Sequence, residues 1–223
     1  MAEPLKELPL FLLQTVLFPY AHIQLHVFED RYVQMVRNCI EKDQPFGVVL
    51  IRSGPEVGGH ADPYMVGTTV HIKEVIELGN GLMDIQVRGE QRFRIRKFDE
   101  SRDYLVGLVE PVVETETEDE PRTDALVMRC REDFHAWIAQ LVTRQGFNIQ
   151  IRFPEDITAL SYAIANMLPI DNLEKQRLLE LTDTMERVSS LIALLEQELI
   201  NGTTTIGLQR LNPDALKEWI SKN

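Results

Sequence analysis

The spacing of apolar residues changes near residue 114. Before it, hydrophobic positions alternate or fall in short blocks, a strand pattern; after it they recur every three or four residues, a helical pattern. In the first half, strands are predicted at Leu8–Leu13 and His22–Val27, on either side of a Phe18-Pro19 turn. Tyr32, Val33, Val36 and Ile40 then follow at helical spacing, so Glu29–Glu41 reads as a helix with Glu29 and Asp30 at its positive end. Phe46–Ile51 is a continuous apolar run, expected to be a strand covered on both faces.

The stretch Arg52–Tyr64 holds three glycines and two prolines and reads as a loop. Strands follow at Val66–Leu78 and Leu82–Arg88 around Gly79-Asn80-Gly81, a hairpin signal because these residues accept positive φ. Further strands at Arg92–Phe98 and Tyr104–Val113 bring the total to about six, enough for a small closed or nearly closed barrel. The junction Glu114–Pro121 carries five acids before its proline and reads as a solvated linker.

Beyond the linker, Leu126, Cys130, Phe134, Trp137 and Leu141 form one helical stripe, and Leu160, Ile164 and Met167 a second, ended at Pro169. Asp171 with Glu174, and Asp183 with Glu186, have capping-box spacing. A long stripe runs from Met185 through Val188, Ile192, Leu195 and Leu199, and Asn212-Pro213 is expected to open a terminal helix containing Trp219. The tail Thr203–Leu211 and Trp219 could pack on the chain's own bundle or on a neighbour, so oligomeric state stays open. The expected fold is α+β: a β-rich unit at residues 1–113 with one inserted helix, an acidic linker at 114–121, and a helical bundle at 122–223.

Composition narrows function by exclusion. With 44% hydrophobic and 26% charged residues the chain is an ordinary globular one. A net charge of −12 disfavours general binding to nucleic acid or to an anionic membrane. No apolar run has the length and continuity of a membrane span, and the N-terminal stretch carries Glu3 and Glu7 with no basic leader; a cytoplasmic protein is expected. Cys39 and Cys130 lie in apolar helical surroundings and read as small buried hydrophobes of a reducing compartment.

Catalytic and metal-binding patterns are weak. His22 and His26 lie four apart on a strand, about 13 Å between backbones, too far to share a zinc ion without bending. His60, His71 and His135 have no matching ligand spacing, and no cofactor is expected. Ser53 lies in a loop without a nucleophile elbow, and Ser161 and Ser189 sit within helices. The densest basic stretch is Arg92-Phe93-Arg94-Ile95-Arg96, whose alternation puts three arginines on one strand face. Two readings apply: a solvated face neutralised by acids such as Glu74, Glu77, Asp84 and Glu90, which is favoured, or a docking stripe for an acidic peptide or RNA. RNA is disfavoured because residues 1–113 carry 12 basic against 16 acidic residues.

Several ordered blocks bear a family resemblance. Leu8-Pro9-Leu10-Phe11, Val16-Leu17-Phe18-Pro19 and Phe28-Glu29-Asp30-Arg31-Tyr32 are followed by Phe46–Ile51, Val66-Gly67-Thr68, Gly89–Ile95, Tyr104-Leu105 and Val109-Glu110. In the second half come Leu160-Ser161, Leu168-Pro169 and Lys175–Glu180. Together they resemble the N-terminal substrate-binding domain of Lon proteases across roughly residues 8–200. That resemblance implies a PUA-like pseudo-barrel followed by an α-helical bundle, and recognition of unfolded or degron-bearing polypeptides. The sequence has no G-x-x-x-x-G-K-[ST] loop and no peptidase region, so a stand-alone, non-enzymatic binding module is expected. Candidate peptide contacts are Phe28, Glu29, Arg31 and Tyr32, the 52–64 loop, and Arg92, Arg94 and Arg96. The expected partner is a polypeptide or protein. Alternatives are an adaptor or regulator docking on an ATP-dependent protease, and an uncharacterised hydrolase or RNA-binding PUA-like protein.

Overall fold

Eight elements form the first part of the chain: β1 (Lys6–Leu13), β2 (His22–Val27), α1 (Asp30–Glu41), β3 (Phe46–Ser53), β4 (Asp62–Pro63), β5 (Val66–Gly79), β6 (Leu82–Asp99) and β7 (Val106–Pro111). The computed structural model describes residues 5–115, 120–145, 150–151, 154–201 and 220–221. Strand neighbours run β1-β7-β6-β5-β3, and β3 returns to β1, so the sheet closes on itself as a barrel. The closing pair is parallel, with Leu10 opposite Gly47, because β2 and α1 form the crossover between β1 and β3. β6 is the hub. β2 pairs with its first half, Val27 opposite Met83, and β7 with its second, Phe93 opposite Pro111.

Burial explains why β1 and β3 read as unbroken apolar runs. Leu8, Leu10 and Leu12 join Val49, Ile51, Phe93, Ile95 and Val109 in one core. Phe11 and Leu13, on the opposite face, join Tyr32, Met35, Val36 and Cys39 of α1 and Met83, Ile85 and Val87 of β6 in another. A strand apolar on both faces has no alternation to display.

The sequence reading has two strands, Leu82–Arg88 and Arg92–Phe98; the structure has one 18-residue strand. Gly89 marks a close crossing instead. The Phe18-Pro19 turn has Tyr20 at φ 68 and closes with the Ala21 N–H donating to the Phe18 carbonyl, 3.2 Å. Tyr20 then donates to the Gly89 carbonyl and Gly89 to that of Ala21, both at 2.8 Å. The β5–β6 hairpin turns at Asn80 and Gly81 with φ of 52° and 81°, the type I′ pattern expected of that dipeptide.

The second part of the chain clusters as its own compact unit, the division falling between Val113 and Glu114. It holds α2 (Glu120–Gln145), β8 (Gln150–Ile151), α3 (Ile157–Met167), α4 (Asn172–Glu180), α5 (Thr184–Asn201) and β9 (Ile220–Ser221), with β8 and β9 paired antiparallel. The predicted stripes are largely buried: Cys130, Phe134 and Trp137 on α2; Leu160, Ile164 and Met167 on α3; Val188, Ile192 and Leu195 on α5. Asp171 caps α4 by accepting from the Glu174 N–H at 2.8 Å, while the Glu174 carboxylate pairs with Arg177. Asp183 accepts from the N–H groups of Met185 and Glu186.

The acidic run 114–121 is not wholly a solvated connection. Glu114 accepts from Arg187, Tyr162 and Thr184, Thr115 bonds the Thr182 carbonyl, and Glu120 already belongs to α2. A buried arginine needs a carboxylate, and Glu114 supplies it. The tail Thr203–Leu211, the Asn212-Pro213 helix start and Trp219 lie outside the described residues.

Candidate functional site

The sequence around Phe28 carries a local contradiction. Ile23, Leu25 and Val27 of β2 follow one phase, and Phe28 places a large aromatic in the opposite, polar phase. The structure leaves Phe28 46% exposed, against the His26 ring at a centroid distance of 5.7 Å. It stands at the mouth of a cavity of about 280 Å³ lined by residues of β1, β2, the start of α1 and the loop after β3.

Phe11 and Tyr32 line its apolar side, stacked at 4.1 Å with an interplanar angle of 10°. The Tyr32 hydroxyl accepts from the Leu12 N–H at 3.3 Å, and burial raises its phenol above the usual tyrosine range. Ile23 and Leu25 line the cavity from β2, and Val57, 53% exposed, from the loop. Glu29 is the N-cap residue of α1 but makes no capping bond with its side chain. Its carboxylate instead accepts from the Gly58 N–H at 3.0 Å and pairs with Arg31 at 3.1 Å. Arg31 in turn donates to the Gly59 carbonyl at 3.4 Å and lies over the Tyr32 ring, 4.5 Å from its centroid. The start of the helix therefore holds the loop that forms one wall.

β2 supplies the last feature. Among the described residues it pairs only with β6. In an antiparallel strand alternate residues direct N–H and C=O to opposite sides, so half of β2's backbone groups face away from its one partner. Apolar pocket and open strand edge lie side by side.

The structure thus brings Phe28, Glu29, Arg31 and Tyr32 to one place, Arg31 as a brace behind the lining. Arg92, Arg94 and Arg96 are elsewhere, and they are unequally exposed. Arg92 is buried, Arg94 half-buried and Arg96 exposed. β6 is bulged between Ile95 and Lys97, beyond the regular register of Arg92 and Arg94 with β5. Arg96 pairs with Glu110, 2.5 Å away, an acid outside the four named from the sequence. Asp84 and Glu90 are engaged by His26 and His71, each at 2.7 Å. Arg96 and its neighbour Arg94 hold the Glu110 carboxyl below its usual range. Sequence reasoning missed His26 and Ile23 as lining residues; the out-of-phase Phe28 was the signal that could have found them.

A second cavity of about 390 Å³ lies on the other side of Arg31 and is more polar, with His60, Asp62, Arg102 and Tyr104 in its lining. Arg102 is already paired with Glu7 at 3.1 Å. Among the described residues no group of three His, Cys, Asp or Glu side chains could hold a metal ion, and no helix is long and apolar enough to cross a membrane. Ser161 and Ser189 donate to carbonyls of their own helices, those of Thr158 and Met185.

Known proteins give this architecture a family. The chain is 27% identical to Lon protease 2 of Herpetosiphon aurantiacus over 198 residues, 86% of this chain and 24% of that protein. It is 27% identical to the Lon protease of Bacillus thuringiensis over 208 residues, 89% of this chain and 26% of that one. The chain thus spans about a quarter of the length of the curated relatives it matches. A Lon N-terminal domain protein from Xanthomonas campestris superposes with a TM-score of 0.61 at 29% identity, covering 84% of this chain and 98% of that one. The N-terminal domain of a Mycobacterium avium complex Lon protease shares the fold, with a TM-score of 0.64 at 20% identity over 87% of this chain and all of the other. The model of the ATP-dependent protease La (LON) substrate-binding domain matches residues 7–197, and the chain belongs to that family.

Proposed function

We propose that this chain is a non-catalytic recognition module that holds extended polypeptide segments in the groove beside β2. One observation carries the reading: an open strand edge lies against an apolar cavity with two exposed hydrophobic side chains, Phe28 and Val57, at its rim. An edge supplies backbone hydrogen bonds without regard to sequence, and a pocket adds a preference for an apolar side chain at alternate positions. The family's substrate-binding description supports the same reading. Glu29 and Arg31 act as positioning residues that hold the loop wall. Arg92, Arg94 and Arg96 are left outside the groove. Recognition of unfolded or degron-bearing segments, on behalf of an ATP-dependent protease, is the corresponding cellular role, in the cytoplasm.

The test is binding of the whole chain to a permanently unfolded, fluorescently labelled model polypeptide, followed by anisotropy. Phe28→Ala and Val57→Asp are expected to weaken binding about tenfold each, the loss of one buried apolar anchor. Absence of binding across a diverse array of unfolded peptides would overturn the proposal. So would full affinity retained in the Phe28→Ala/Val57→Asp double variant.

A further inference from the structure

The cavity beside β2 carries charge of one sign. Glu29 and Glu56 line it, and among the described residues no lysine or arginine does. Arg31 compensates Glu29 from behind the lining, at 3.1 Å. Glu56 is different. It is half-buried and makes no hydrogen bond or ion pair with another described residue. Its field still reaches the aromatic wall: burial is the main cause of the raised Tyr32 phenol, Arg31 opposes it, and the Glu29 and Glu56 carboxylates push it further up. The net charge left at the cavity is therefore that of Glu56, beside the exposed Val57 on the same loop.

The hydrogen-bond phase of β2 fixes how a bound segment lies. The Gly89 N–H donates to the Ala21 carbonyl, and the register runs on without a break from His22 opposite Arg88 to Val27 opposite Met83. Bonded and non-bonded pairs alternate along an antiparallel ladder, so Ile23, Leu25 and Val27 direct their backbone groups to β6. Those of Gln24 and His26 turn to the open edge. A segment bonded there puts the residue opposite Leu25 on Leu25's own face, where Phe11, Ile23 and Tyr32 also line the cavity. The residues two places before and after it share that face and meet the same lining, Glu56 included. A lysine or arginine at such a place can lay its stem along Val57 and bring its charge to Glu56. An acid there meets a like charge instead. We infer, on the peptide-binding reading above, that the groove selects extended segments with a lysine or arginine two residues from the apolar side chain that fills the cavity, and that Glu56 sets this preference.

The test titrates the whole chain into labelled, permanently unfolded polypeptides in which leucines are spaced among serine and glycine. The positions two before and two after each leucine carry lysine, glutamine or glutamate. A further version has the same lysines moved next to the leucines, which keeps the composition and changes the face. At about 0.15 M salt, charges beyond about 8 Å are screened, so the overall negative charge of the chain contributes little. The lysine version is expected to bind about tenfold more tightly than the glutamate version, one attraction gained and one repulsion removed. The version with displaced lysines should fall back to the affinity of the glutamine version. Glu56→Gln should bring lysine and glutamate versions to within about twofold of each other, and Glu56→Lys should reverse their order. Circular dichroism checks that both variants fold. Equal binding of the lysine and glutamate versions overturns the inference while leaving peptide binding itself in place. Equal binding of the two lysine versions, or a contrast that survives Glu56→Gln, also overturns it. Failure to bind any version overturns the peptide-binding reading, and the charge preference with it.

Discussion

Arg187 on α5 is fully buried, and its Nη2 donates to Oε2 of Glu114, 3.1 Å away, at the first residue of the helical unit. Its other two nitrogens are also hydrogen-bonded. Nε reaches Ser161 and Nη1 the Leu181 carbonyl, both at 2.8 Å, and the guanidinium lies 4.2 Å from the Tyr162 ring centroid. Removing one partner leaves the other without its counter-charge, which costs more than removing both. Arg187→Leu is therefore expected to lower unfolding free energy by about 3 kcal/mol. Arg187→Leu with Glu114→Leu should recover part of that loss, as measured by urea denaturation and a double-mutant cycle. Additive effects of the two substitutions would contradict the coupling.

Gly89 gives a sharper steric prediction. A Cβ there would stand 2.4 Å from the Phe18 carbonyl oxygen, a backbone atom that cannot rotate away. Gly89→Ala should cost about 2–3 kcal/mol, the range for forcing atoms into a packed site. Gly79→Ala has no such neighbour, but its φ of 84° also disfavours a side chain. Its cost is set by backbone strain alone, about 1 kcal/mol. The order of the two in urea denaturation checks the crossing of the Phe18–Ala21 turn over β6.

These two positions show where local pattern stops being informative. Gly79-Asn80-Gly81 was legible as a turn because positive φ is a local demand met by local residues. The strands read at Leu82–Arg88 and Arg92–Phe98 are one, and the close crossing at Gly89 left no local mark because its partner, Phe18, is seventy-one residues away in the chain. Helix stripes and caps were legible for the same local reason. The groove was only half legible: Phe28 to Tyr32 stood out, but Glu29 meets Gly58 through a contact no periodicity records. The arginine stripe was legible as a basic strand, but the unequal burial of Arg92, Arg94 and Arg96 depends on packing that alternation does not record.

Tyr32 predicts a pH dependence. Burial is the largest cause of its raised pKa, with Arg31 opposing it. The folded state holds the phenolic proton more tightly than the unfolded state, whose pKa is near 10. Stability from this group is thus fully present below about pH 10 and is lost as pH rises through the higher, folded value. In a spectrophotometric titration Tyr32 should ionise later than a free tyrosine. Tyr32→Phe should remove the late step and cost about 1 kcal/mol at pH 7, because the Leu12 N–H loses its acceptor.

Cys130 is expected to be chemically silent in the folded protein. Burial, reinforced by the Asp133 carboxylate, pushes its thiol up to about 12, and the thiolate is the reactive form. Cys39 is raised as well, chiefly by burial. With a thiol reagent at pH 8, both cysteines should label at the rate of unfolding, and in urea immediately. Fast labelling of either under native conditions would show that its helix opens locally.

Glu29 contacts both the loop wall and Arg31, and its two contacts can be separated. Glu29→Gln keeps an amide oxygen able to accept from the Gly58 N–H but gives up the charge that pairs with Arg31. Glu29→Ala gives up both. If the hydrogen bond to the loop is what holds the wall, amide exchange across residues 56–59 should rise about tenfold in Glu29→Ala and much less in Glu29→Gln, the loss of about 1.4 kcal/mol of local stability. Exchange in β1 and β3 should be unchanged in both, since residues 56–59 are not part of their cores. If Arg31 is the brace instead, the two variants should exchange alike, because both lose the ion pair. Peptide binding then connects the loop to function: under the proposed reading Glu29→Ala weakens binding in step with faster loop exchange, while Phe28→Ala weakens it with exchange at 56–59 unaltered.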